Sequence, residues 1–190
     1  MLKPRILILA GTQDAGSPVS RLAGAALREI AFLDAEAVMV SLADYTLPLR
    51  EPGLAQPAPP SLRQLRGLIG SAEAVLVVTG AALASVPAAI QNLFEWLAAE
   101  DAGLFHAGTG RIFAIAAIAG TEAEAAAAGE HLRSILTAGL GASLVGERFA
   151  LSASEAFDER DRISEPRRAL ALQQLIGHLL RSAPAAAPNA

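Results

Sequence analysis

The sequence predicts an α/β fold, a doubly wound parallel sheet of five strands in a single domain, and two features carry that prediction. The first is a set of apolar runs with no polar alternation: residues 5–10 (RILILA), 74–79 (AVLVVT) and 111–117 (RIFAIAA). Such runs suit strands buried on both faces, as in the middle of a parallel sheet. The second is that these runs alternate with stretches of helical periodicity, which implies right-handed crossovers. The clearest unit is residues 74–97, a strand, a small-residue loop from Gly80 to Ser85, and a helix carrying Ile90, Leu93, Phe94 and Leu97. Strand, tight loop and helix N-terminus form the geometry in which open α/β sheets bind ligands, with anions favoured at the helix end.

The elements follow in order. The first strand, residues 5–10, enters the loop from Gly11 to Ser17. Ser17 as N-cap and Pro18 at the first helical position start a helix with Leu22, Ala26, Leu27 and Ile30 on one face. Residues 35–42 read as the second strand, and residues 44–60 as a long proline-rich loop. Leu62, Leu65, Leu68 and Ile69 mark a short helix before the third strand. Ser85 is expected to cap the next helix, with Pro87 in its first turn. Residues 101–110 connect to the fourth strand at 111–117. A helix over about 122–138 follows Gly120 and Thr121, and Glu122 and Glu124 suit its dipole. Residues 142–149 read as the fifth strand and 166–180 as the last helix. The domain is expected to span residues 1–181, with 182–190 a disordered Ala/Pro-rich tail.

Composition narrows the function classes. Of 190 residues, 53% are hydrophobic and 18% charged, so the body is not disordered and has room for a buried oligomer interface. A net charge of -4 and the lack of a basic stripe argue against nucleic-acid binding. Cysteine is absent, which excludes disulfides, thiolate catalysis and cysteine metal sites. No apolar run reaches membrane-spanning length, and a cytoplasmic protein is expected.

Several motifs fail on context. Gly11 and Gly16 have P-loop spacing, but Ser17-Pro18 replaces the required Lys-Ser/Thr. Gly108-Thr109-Gly110 precedes a strand instead of following one. His106, His131 and His178 have no metal-ligand spacing and read as surface or packing residues, so no metal is expected. There is no G-x-S-x-G elbow for a hydrolase triad. Asp14 reads as a turn or capping residue, and Phe94 and Trp96 as core or dimer contacts.

The loops after the first, third and fourth strands converge on one edge, and the strand order expected is 2-1-3-4-5, the flavodoxin-like order whose switch point holds a flavin mononucleotide. The central stretch resembles the NAD(P)H-dependent FMN reductases, whose pattern there is T-P-E-Y-N-G-S-x-P-x-x-x-K-N-x-x-[DE]-W-L. Thr79, Ser85, Pro87, Asn92, Glu95, Trp96 and Leu97 match without a gap. The Leu47-Pro48-Leu49 loop and the Ala156-Phe157-Asp158 segment are also similar. The resemblance implies a flavodoxin-like homodimer or dimer of dimers. It would pass a hydride from NAD(P)H through FMN to a flavin- or quinone-type small-molecule acceptor. The cofactor-binding residues implied are Gly11, Thr12 and Ser17 at the phosphate, and Gly80, Ala81, Ala82, Leu83, Gly120 and Thr121 along the ring, with no catalytic side chain required.

The chain departs from the family pattern in all three loops. The first-loop pattern G-S-x-R-x-x-S-x-N becomes Gly11-Thr12-Gln13-Asp14-Ala15-Gly16-Ser17-Pro18-Val19, with Asp14 at the arginine position and Val19 at the asparagine position. Gly80, Ala81, Ala82 and Leu83 replace proline, acid, aromatic and amide, and Glu122 and Glu124 add charge to the third loop. These changes leave a second reading open, a flavin-free flavodoxin-like dimer acting as a binding or regulatory module.

Overall fold

The structure is a computed structural model that describes residues 3–33, 35–51, 53–154 and 156–184. Residues 185–190 of the expected tail lie outside the described residues. The strands are β1 (Arg5–Gly11), β2 (Glu36–Ser41), β3 (Ala74–Thr79), β4 (Ile112–Ala119), β5 (Ser143–Leu144) and β6 (Phe149–Ser152). The helices are α1 (Pro18–Ala31), α2 (Pro60–Ser71), α3 (Ala88–Glu100), α4 (Glu122–Ser134) and α5 (Pro166–Ser182). The sheet is parallel, in the order β2-β1-β3-β4-β5, with β6 also paired to β4. That is the flavodoxin-like order read from the sequence.

Alternation along the central strands divides the core into two layers. Leu7, Leu9, Val75, Val77, Phe113 and Ile115 face α2, α3 and α4, and Phe105 packs between Phe94 and Phe113 with ring centroids 5.8 and 5.7 Å apart. Ile6, Ile8, Leu76, Val78, Ala114 and Ala116 face α1 and α5. Both faces are covered, which is why these strands read as unbroken apolar runs. Glu73 clamps the entry of β1, accepting from the Arg5 backbone N–H at 2.7 Å and from its guanidinium at 3.0 Å. Burial pushes the Glu73 carboxyl up, but the hydrogen bonds and charge of Arg5 outweigh it and hold the carboxyl below the usual range.

Three expectations need correction. The single strand over 142–149 is two short strands, because two extra residues enter relative to β4 between Leu144 and Phe149. Gly146, at φ +72°, turns the chain there in the left-handed region that favours glycine, and a Cβ on it would stand 2.7 Å from Leu175 Cδ1. Ser85 does not cap α3; the cap position is Pro87, and it makes no side-chain bond. The fourth helix leaves α geometry after Ser134 and continues as a π turn over Ile135–Gly139.

Candidate functional site

The carboxyl ends of β1, β3 and β4 carry the three loops expected to converge, and each is built differently. In the first loop, Ser17 is the N-cap of α1, as its sequence predicts, and its Oγ accepts from the Ser20 N–H at 3.3 Å. The Ser17 hydroxyl donates to Thr12 Oγ1 at 3.1 Å, and Thr12 Oγ1 accepts from the Asp14 N–H at 3.1 Å. The Asp14 carboxylate accepts the Gly16 N–H at 2.8 Å, and Ser20 Oγ donates to the Asp14 carbonyl at 3.0 Å. Gly11 is buried against Ile90. Arg21, one turn inside α1, turns away from this loop: its Nε lies 2.6 Å from Asp161 and its guanidinium sits 4.6 Å above the Phe157 ring.

The second loop is a two-residue hairpin. Ala82 and Ser85 exchange backbone bonds of 2.8 and 3.0 Å across Leu83 and Ala84, both in the left-handed region at φ +52° and +56°. Leu83 is fully exposed at the tip. Glycine, which has no Cβ, or asparagine, whose short polar side chain bonds locally, normally fills such a turn, because other side chains there cost about 1–2 kcal/mol per residue. The hairpin is pinned from outside by a hydrogen bond of 2.6 Å between Ser85 Oγ and His131 Nδ1 on α4. That contact takes Ser85 from the helix cap and gives His131 a role beyond general packing. We expect Leu83→Asn with Ala84→Gly to raise the unfolding free energy by about 1–2 kcal/mol in urea titrations, by removing this strain. No gain would mean the turn is not strained.

The third loop ends in a capping box. Thr121 Oγ1 accepts the Glu124 N–H at 3.2 Å, and the Glu124 carboxylate accepts the Thr121 N–H at 3.0 Å. Gly120 is exposed, and its carbonyl accepts from Ser152. Between the first two loops, buried Val19 abuts Gly80, its Cγ2 3.2 Å from where a Cβ at Gly80 would stand.

The matched motif residues on α3 serve a purpose not legible from their spacing. Asn92 and Trp96 both donate to the Pro48 carbonyl, at 3.0 and 2.8 Å, and Asn92 Oδ1 accepts the Arg50 N–H at 2.7 Å. The Leu47-Pro48-Leu49 loop and the α3 motif are therefore one clip beside the crevice. A separate cavity of about 660 Å³ lies between α5 and β6, lined by Arg148, Arg168, His178 and Arg181 among others.

A sequence profile described as NADPH-dependent FMN reductase matches residues 4–156. The chain belongs to that family. Among solved structures, an NADH:FMN oxidoreductase (EMOB) in its apo form is 20% identical with a TM-score of 0.75, covering 96% of this chain and 91% of its own. FerB, a flavoenzyme NAD(P)H:(acceptor) oxidoreductase from Paracoccus denitrificans, is 19% identical with a TM-score of 0.76, covering 94% of this chain and 96% of its own. A flavodoxin from Streptococcus pneumoniae is 13% identical with a TM-score of 0.61, covering 94% of this chain and 99% of its own. No curated protein matches by sequence. At these identities the structures establish the flavodoxin-like fold, and the profile establishes the family. None of the described helices is long and apolar enough to cross a membrane.

The family's cofactor is FMN, and the two ends of the crevice differ in how they suit it. At the second and third loops the residues are small, with Gly80 and Ala81 half-buried and Gly120 exposed. The first loop does not fit a phosphate, since its hydroxyls bond to one another and its Gly16 N–H already holds a carboxylate.

Proposed function

We propose that this chain is an NAD(P)H-dependent FMN reductase-like oxidoreductase that serves a flavin- or quinone-type small-molecule acceptor. The observation that carries the reading is the family match over residues 4–156 together with three loops meeting at the carboxyl ends of β1, β3 and β4. We assign Gly80, Ala81, Ala82, Leu83, Gly120 and Thr121 to the ring end, and Gly11, Thr12 and Ser17 to the other end. A bound flavin supplies the hydride chemistry. The residues of the chain position it: the Ser85–His131 bond fixes the hairpin, and buried Val19 closes the gap between the first two loops. We also assign the protein to a homodimer in the cytoplasm. Leu49, 71% exposed on the loop clipped to α3, supports a partner surface there.

The test is NADH and NADPH consumption with and without added flavin. Saturable, flavin-dependent consumption is expected. No consumption, together with no quenching of flavin fluorescence, would overturn the reading and favour the flavin-free binding module.

A further inference from the structure

We propose that Asp14 makes the crevice indifferent or averse to the flavin phosphate, so that riboflavin binds at least as tightly as FMN. The inference rests on the flavin reading above and specifies the ligand of that same site. Its basis is the mismatch between a phosphate and the first loop.

Four observations converge. The Asp14 carboxylate accepts the Gly16 N–H at 2.8 Å, so the loop already contains an anion of its own. The hydroxyls of Thr12, Ser17 and Ser20 are spent inside the loop, at 3.1 Å between Thr12 and Ser17 and 3.0 Å from Ser20 to the Asp14 carbonyl. Pro18, at the first position of α1, has no N–H to offer an anion. The cations of α1 are drawn elsewhere: Arg21 to the Asp161 carboxylate and Phe157 ring, Arg28 to the Asp161 carbonyl.

The chemistry then favours a neutral terminus. An ionised carboxylate only accepts hydrogen bonds, and the terminal hydroxyl of riboflavin can donate one. The phosphate of FMN carries close to two negative charges at neutral pH, has no such proton to give, and meets a like charge.

The experiment is a pair of titrations, FMN and riboflavin, followed by quenching of the fluorescence of their shared ring, at low and high salt, on the wild type and on Asp14→Asn. The asparagine keeps an acceptor for the Gly16 N–H, so the turn survives, and a thermal melt checks the fold. In the wild type, riboflavin is expected to bind as tightly as FMN or more tightly, and salt should not weaken FMN, since screening relieves repulsion. In Asp14→Asn, FMN should tighten by about tenfold while riboflavin changes by less than about threefold. FMN binding the wild type more tightly than riboflavin, or an unchanged ratio in the variant, overturns the proposal. Failure of both flavins on both proteins overturns the flavin reading itself.

Discussion

Replacing Arg111 with alanine is expected to lower the unfolding free energy by about 3–5 kcal/mol, because it strips a buried cation from three carbonyls at once. Arg111 precedes β4 and is only 8% exposed. Its Nε donates to the Ala72 carbonyl at 2.9 Å, Nη2 to Gly70 at 2.8 Å and Nη1 to Leu104 at 2.5 Å. Gly70 and Ala72 lie at the end of α2, where a cation also favours the helix dipole. Burial pushes the Arg111 guanidinium down, against the opposing charges of Glu73 and Asp101, yet an arginine remains ionised. Lysine lacks the planar fork that reaches three acceptors, so Arg111→Lys should recover less than half of the loss. Urea denaturation of both variants checks this, and a loss below about 1 kcal/mol for alanine would show that water replaces the arginine readily.

Trp96→Ala is expected to cost about 3–5 kcal/mol as well, and to free the loop before α2. Trp96 is 1% exposed, its Nε1 holds the Pro48 carbonyl at 2.8 Å, and Arg50 lies 5.3 Å above its ring. The variant loses both packing and clip. Asn92→Ala removes two of the clip's bonds without opening a large cavity and should cost about 1–2 kcal/mol. Hydrogen exchange separates the effects: amides of residues 45–51 should lose protection in both variants, while β3 weakens only in Trp96→Ala. Unchanged exchange in that loop would show that something other than α3 holds it.

The central strands β1, β3 and β4 were legible because they are buried on both faces and almost wholly apolar, whereas β2 at the edge leaves Glu36, Val38 and Met39 exposed. The start of α1 was legible for a local reason too: Ser17 and Pro18 act within one turn. The break between β5 and β6 had a visible sign in Gly146, an isolated glycine inside a strand pattern, which marks a bulge. The contacts that shape the crevice had none. Ser85 and His131 are 46 positions apart, and Arg21 and Asp161 are 140 apart. Neither pair has a spacing that any regular element imposes, so only the folded sheet brings them together. The hairpin at Leu83 was hidden for another reason: residues that disfavour positive φ occupy positions where the family pattern has asparagine and glycine. The family, in contrast, was legible from the α3 motif, and the structure supplies the cause, since Asn92 and Trp96 hold the Pro48 loop against the crevice.

Whether the family frame takes a flavin by its ring is decided by titrating FMN into isotopically labelled protein and following backbone amide shifts. Saturable shifts are expected at Gly80, Ala81, Gly120 and their neighbours, with little change between α5 and β6. Shifts confined to the cavity of Arg148, Arg168 and Arg181, or none at all, would rule out flavin binding at these loops.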